Sequence, residues 1–178
     1  MDPAEKVLKE IEDSPESFMI IGPEKGQVLA SLIKKHNPKS VLEVGTNLGY
    51  SSILMAINLP PDGKITTLEI DQKTADKAQE NINKTGFEDK IQIIVGDAKE
   101  TIKNLSGPFD FMFIDAAKKQ YLNYLQDAEG KFSPKTVIVA DNVGIFANEV
   151  SDYLTYVRER YQSETVQVGQ DALEVSQT

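Results

Sequence analysis

The amino-acid sequence predicts an α/β fold: a seven-stranded, mostly parallel sheet with helices on both faces and an antiparallel hairpin at its C-terminal edge. Three observations predict it. Short runs rich in Val, Ile and Phe alternate strictly with stretches of helical periodicity. The runs are almost continuously apolar, as strands covered on both faces are. A glycine turn, Gly45 to Gly49, joins the first run to the helix after it, which is how a strand feeds a crossover helix in a parallel sheet.

Taken in order, residues 3–12 and 23–36 show helical spacing of Val, Leu and Ile, and each starts at a proline, which helix starts permit. Strand-like runs follow at 40–44, 64–70, 91–95, 109–114 and 136–140. Helical patterns at 51–59, 72–85, 98–104, 120–131 and 148–161 separate or follow them. The tail changes character. Residues 164–168 and 172–176 flank Gly169-Gln-Asp171 and read as a hairpin, so two strands pair antiparallel at one edge.

The 178 residues suit one domain, 1–178, and no internal repeat or linker interrupts it. The net charge of −9 opposes binding to nucleic acid or to an anionic membrane surface. No apolar run approaches the roughly 20 residues of a membrane span. The N-terminal Met-Asp-Pro-Ala-Glu-Lys has no signal-peptide apolar region, so a cytoplasmic location is the default expectation. The absence of Cys excludes disulfides and thiolate zinc sites.

Ligands of such sheets collect at the carboxyl ends of the strands, so those ends are the place to look for chemistry. The first is Val41-Leu-Glu-Val-Gly-Thr-Asn-Leu-Gly-Tyr50. Its spacing is not the G-x-G-x-x-G of dinucleotide binders, and Glu43 would repel a pyrophosphate. A carboxylate there suits a cofactor that carries positive charge beside an adenosine, and S-adenosylmethionine is the expected one. The second end places Glu69 to accept hydrogen bonds from ribose hydroxyls. The third, Gly96-Asp-Ala98, is a small-residue turn that an adenine ring can approach.

The fourth and fifth ends supply Asp115 and Asp141-Asn142. Two carboxylates and a carboxamide form a hard-oxygen set suited to Mg²⁺ and poorly suited to zinc or copper. Three protein ligands of about six leave positions for vicinal hydroxyls of a substrate. Lys118 follows Asp115 by three residues, and a lysine beside a dication is pressed towards its neutral form, able to act as a general base. Each piece alone has an ordinary explanation. Glycine turns are common, Glu69 or Asp71 can cap a helix, an Asp-Asn pair makes turns, and a lysine is usually a surface charge. The ordered conjunction is what carries the argument. His36, the only histidine, ends a helix and receives no catalytic role.

At these residues the chain resembles the cation-dependent class I O-methyltransferases, the group of the catechol and caffeoyl-coenzyme A O-methyltransferases. The resemblance rests on Val41 to Ser51, Leu68-Glu-Ile-Asp71, Val95-Gly-Asp-Ala98, Phe109-Asp-Phe-Met-Phe-Ile-Asp-Ala-Ala-Lys118 and Val139-Ala-Asp-Asn-Val143. Met19-Ile-Ile-Gly-Pro-Glu-Lys-Gly-Gln27 and Asp171-Ala-Leu-Glu-Val-Ser176 extend it over nearly the whole chain. It implies a Rossmann-like methyltransferase sandwich in which the helices within residues 1–38 cover the substrate and cofactor cleft. Glu43, Gly45, Thr46 and Ser51 would hold the methionine end of S-adenosylmethionine, and Ile21 would line that pocket. Glu69 would bind ribose, Ile70 and Ala98 would contact the adenine side, and Asp115 would lie near the cofactor. Asp115, Asp141 and Asn142 would bind Mg²⁺, and Lys118 falls at the catalytic base.

Departures from the family bear on the acceptor. Ala116 and Ala117 stand where catechol O-methyltransferase has bulky groups, and Phe146 is left as the candidate apolar wall. Glu164 is the nearest candidate for an acid that holds a second hydroxyl. The long N-terminal region of the coenzyme A ester enzymes is missing. The expected reaction is Mg²⁺-dependent methyl transfer to a hydroxyl of a small vicinal dihydroxy aromatic, by a monomer or homodimer. The competing class is a metal-independent methyltransferase of RNA or protein, opposed by the acidic charge and with no use for the Asp115, Asp141 and Asn142 set. A non-enzymatic binding module would have lost Lys118 or a ligand, and none is lost.

Overall fold

The computed structural model describes residues 2–178. Its elements run α1 (Pro3–Glu12), α2 (Gly22–His36), β1 (Ser40–Val44), α3 (Tyr50–Asn58), β2 (Lys64–Glu69), α4 (Gln72–Asn83), β3 (Ile91–Val95), α5 (Ala98–Asn104), β4 (Phe109–Ile114), α6 (Tyr121–Glu129), β5 (Phe132–Ala140), α7 (Ser151–Arg160), β6 (Gln162–Val168) and β7 (Asp171–Gln177). Short 3₁₀ turns at Ser17–Met19 and Lys118–Gln120 precede α2 and α6.

The seven strands form one sheet in the order β3-β2-β1-β4-β5-β7-β6. The first five are parallel, and β7 runs antiparallel between β5 and β6. The predicted class, strand number and C-terminal hairpin are all present. Strand order reverses between β1 and β4, which opens the crevice where such folds bind ligands.

Alternation along the strands divides the core. Val41, Phe111, Phe113, Val137 and Val139 face one layer with α1, α2, α3 and Ile82 of α4. Leu42, Val44, Met112, Ile114 and Ile138 face the other, with α5, α6 and α7. Because β1, β4 and the end of β5 feed both layers, each reads as a nearly continuous apolar run. Phe111 and Phe113 are fully buried, each worth about 1.5–3 kcal/mol of burial.

Local chemistry sets the helix ends. Asp2 and Glu5 form a capping box on α1, Asp71 accepts from the Thr74 amide at 2.8 Å to start α4, and Asp97 accepts from the Lys99 amide at 3.0 Å to start α5. Asn37, at φ 48°, ends α2 in the left-handed conformation, with His36 in the last helical turn as expected. The shifts from sequence-based boundaries have local causes. Strand β5 begins at Phe132 rather than 136, because Phe132 pairs with Phe109 before a bulge at Phe109/Phe111. Helix α7 begins at Ser151 because residues 144–150 form a string of turns.

Candidate functional site

The ends of β1 to β5 meet around one cleft of about 780 Å³. Glu16 and residues Phe18 to Ile21, between α1 and α2, form its outer wall, and Phe18 and Met19 are largely exposed there. One end is built from the β1 and β2 termini. The amides of Gly45 and Thr46 both donate to the Leu68 carbonyl, at 3.0 and 3.2 Å, which pins the loop to β2. Gly45 sits at φ 104°, and a Cβ there would lie 2.1 Å from the Asp115 carbonyl oxygen. Only glycine lets these two strand ends approach so closely. The buried hydroxyls of Thr46 and Thr67 share a 2.6 Å hydrogen bond.

Glu69 lines this end and accepts from the amides of Asn47 at 2.9 Å and Asp71 at 3.1 Å. Ile21, Gly45, Thr46, Ser51, Ile70 and Ala98 line the same cleft, with Ile70 exposed at its rim. Glu43 does not line it. Its carboxylate is fully buried beneath the loop, accepting from Ser51 at 2.5 Å and from Ser52. Burial pushes its carboxyl up to about 7, against the opposing pull of the serine and threonine hydroxyls. Ser51 is therefore the group between Glu43 and the cleft.

The other end holds Asp115, Asp141, Asn142 and Lys118 together, as the sequence order suggests. The Lys118 ammonium donates to Asp115 Oδ1 at 2.9 Å and to the Tyr121 hydroxyl at 2.8 Å. It also lies 5.2 Å from the Tyr121 ring centroid and 5.7 Å from that of Phe146. Tyr121 in turn donates to the Asp141 carbonyl at 3.1 Å, so a fully buried ring fixes the lysine relative to β5. Phe146 lines the cleft, and Ala116 and Ala117 leave the space beside it open.

Lys25 of α2 enters this group from the far side. It donates to Asp141 Oδ1 at 2.5 Å and Asp171 Oδ2 at 2.8 Å. Burial and the nearby Asp115 charge raise the Asp141 carboxyl to about 6, and Lys25 only partly offsets them. The lysine itself is raised, because the two carboxylates outweigh the cost of burying its charge. Burial alone would raise Asp171, but hydrogen bonds from Lys25, Asn142 and backbone amides hold it down to about 2. Asn142 adopts φ 60°, a left-handed conformation that asparagine tolerates.

Among the described residues no hydrogen-bond donor reaches Asp115 Oδ2, Asp141 Oδ2 or Asn142 Oδ1. Three oxygens with free lone pairs at one end of a cleft fit a hard dication. No group of three His, Cys, Asp or Glu side chains that could hold a metal ion occurs among the described residues; the set here is two carboxylates and one carboxamide. Glu164 lies on β6 beside His36 and Lys35, outside the cleft, so it is not an acceptor-binding acid. Lys25, Asp171 and Tyr121 join the site with no role read from sequence. Lys25 and Asp171 lie within segments that carry the family resemblance, which is the one signal that pointed at them.

Comparison with known proteins places these features in a family. A family model described as O-methyltransferase matches residues 4–166. A catechol O-methyltransferase from Niastella koreensis is 43% identical over 127 residues, 69% of this chain and 58% of that protein. A caffeoyl-CoA O-methyltransferase from Stellaria longipes is 35% identical over 84% of this chain and 67% of that protein. The chain thus matches between somewhat over half and two thirds of these relatives' length. Among solved structures, an O-methyltransferase from Bacillus cereus in complex with SAH superposes with a TM-score of 0.88 at 27% identity, covering 99% of this chain and 90% of that one. The Streptomyces achromogenes O-methyltransferase TomG in complex with SAM gives 0.88 at 25% identity, covering 100% and 90%. No helix among the described residues is long and apolar enough to cross a membrane.

Proposed function

Because the chain belongs to the O-methyltransferase family, we propose that it transfers a methyl group from S-adenosylmethionine to one hydroxyl of a catechol-like small molecule, with the help of a hard dication such as Mg²⁺. The observation that carries this reading is a single cleft with a ribose-type acceptor, Glu69, at one end and Asp115, Asp141, Asn142 and Lys118 at the other. The relatives named for catechol and caffeoyl-CoA methylation support the class of acceptor.

In this reading Glu69 accepts hydrogen bonds from the ribose, and Ile70 and Ala98 flank the adenine. Thr46 and Ser51 hold the methionine end, and buried Glu43 beneath them supplies the negative field for the sulfonium. Asp115, Asp141 and Asn142 hold the dication, which when bound supplies Lewis acidity that lowers the pKa of the acceptor hydroxyl. Lys118 takes the acceptor proton. The acceptor oxygen then forms a bond to the methyl carbon as the carbon–sulfur bond breaks, and the bonding pair stays on sulfur. Sulfur, methyl carbon and oxygen must lie nearly in line, so most of the rate gain comes from positioning. Phe146 and the rim at Phe18, Met19 and Ile145 give an aromatic ring apolar walls.

The test is a methyl-transfer assay over catechols, flavonoids and caffeoyl esters, with and without Mg²⁺. Turnover of small catechols only with the cation is expected. Transfer that is equal without any dication would overturn the metal reading, and transfer confined to RNA or protein would overturn the acceptor. Glu69→Ala should weaken S-adenosylmethionine binding by about 1–3 kcal/mol in calorimetry, the cost of unpaired ribose hydroxyls.

A further inference from the structure

We propose that Asp171, the first residue of β7, is a positioning residue for the cation site: it fixes which way the Asn142 carboxamide faces and so leaves the amide oxygen to a dication. The proposal rests on the metal reading given above and assigns a role to a residue outside the ligand set.

Four donors face the Asp171 carboxylate. Asp171 Oδ1 accepts from the backbone amides of Gly144 at 3.2 Å and Ile145 at 3.1 Å. Its Oδ2 accepts from Asn142 Nδ2 at 2.8 Å and from the Lys25 ammonium at 2.8 Å. All four groups facing this carboxylate are donors, and a carboxylate is the one common side chain that satisfies four donors and offers none. An asparagine amide can turn over by half a rotation with little change of shape. Here the turned-over form would set two oxygens against each other at hydrogen-bond distance and aim an NH₂ group at the cation. The carboxylate therefore selects one amide orientation, the one with Oδ1 towards the cleft.

Two further features suit this role. Gly144 packs so closely on β7 that an added Cβ would lie 2.9 Å from the Ala172 amide nitrogen, and the Val143 amide donates to the Ala172 carbonyl at 3.1 Å. The turn after Asn142, which carries Phe146 over the cleft, is thus docked on the same residue pair that orients the amide. Lys25, bridging Asp171 and Asp141, balances the added negative charge next to the cation site.

The decisive perturbation reverses hydrogen-bond polarity without changing shape. In Asp171→Asn the new oxygen stays with the two backbone amides, so the new NH₂ faces Asn142 and turns its amide over. Mn²⁺ binding, followed by loss of the free-ion electron paramagnetic resonance signal, should weaken by about 10–100-fold, the usual effect of losing an outer-shell partner. S-adenosylmethionine affinity should stay within about threefold. The exchange Asn142→Asp with Asp171→Asn restores the polarity of the 142–171 contact, since the amide at 171 then donates to a carboxylate at 142, while Lys25 keeps its bond to Asp141. That double variant should bind Mn²⁺ at least as tightly as the wild type. It also carries the test if the single variant fails to fold. Unchanged Mn²⁺ affinity in Asp171→Asn, or a double variant that stays weak, overturns this proposal alone. A wild-type chain that binds no Mn²⁺ overturns it together with the metal reading.

Discussion

Replacing Glu43 by Gln tests how much stability a charge buried behind Ser51 and Ser52 costs the fold. The Glu43 carboxylate is fully buried and bonded by the hydroxyls of Ser51 and Ser52, and burial raises its carboxyl from 4.5 to about 7. At about 1.4 kcal/mol per pH unit, that difference is worth about 3 kcal/mol. The sign follows from proton binding. Between 4.5 and 7 the folded chain binds this proton more tightly than the unfolded chain, so stability falls as pH rises through that window and levels off above it. Glutamine is nearly isosteric, keeps an acceptor for one serine and offers a donor to the other, and carries no proton to lose. The stability of Glu43→Gln relative to wild type should therefore increase by about 2–3 kcal/mol between pH 5 and pH 8. Urea denaturation of both proteins at several pH values, with a common slope against denaturant, gives this difference directly. The Asp141 carboxyl, raised to about 6 by burial, titrates in both proteins and cancels to first order. A gap that does not vary with pH would refute the reasoning, because Glu43 would then titrate alike in the folded and unfolded chains.

Lys118→Ala should lower kcat by about 10²–10⁴-fold, the usual contribution of a positioned base, while Lys119→Ala serves as the control. Equal losses at both positions in steady-state turnover would remove the base assignment. Chelator should abolish turnover and Mg²⁺ should restore it, whereas Asp141→Ala should stay inactive at the same Mg²⁺ concentration, since it lacks one charge and one donor of a small set. Gly45→Ala should destabilise by about 3–5 kcal/mol, combining a left-handed backbone with a Cβ driven into the Asp115 carbonyl. Thermal unfolding measures it, and a change below 1 kcal/mol would mean that the β1 and β4 ends separate easily.

The parts of the fold that the sequence made legible are those with local signatures. Strands β1, β3 and β4 have the bounds their apolar runs suggest, since β1 and β4 are buried on both faces and β3, at the edge, keeps Ile at three of its five positions. Glu43 is the one fully buried charge inside these runs. Its charge pointed to a cofactor, but only the structure shows that it is held under Ser51 rather than in the cleft. Asp115, Asp141 and Asn142 were legible because parallel topology sends successive strand ends to one edge. Lys25 and Asp171 were not, since their contacts span 116 and 146 residues and nothing local distinguishes a lysine on an amphipathic helix from one in a buried ion pair. The start of β5 was hidden for a different reason. Ser133, Pro134 and Lys135 are a poor strand sequence, and Lys135 takes a positive φ of 65° beside a bulge.

The place of β7 in the sheet has a consequence for synthesis. Among the seven strands it comes last along the chain, yet it is flanked on both sides, between β5 and β6. Until residues 171–177 are added, β6 has no hydrogen-bonding neighbour in the sheet and the far edge of β5 stays open. Glu174, fully buried against Arg158, and Asp171, against Lys25 and Asn142, arrive with that same strand. The nascent chain thus waits with an open strand edge, and the last segment both closes the sheet and turns on the polar contacts of the cleft. A chain cut before Asp171 should be compact over β1 to β5, prone to edge-to-edge association, and without the Asp171 contacts to Lys25 and Asn142.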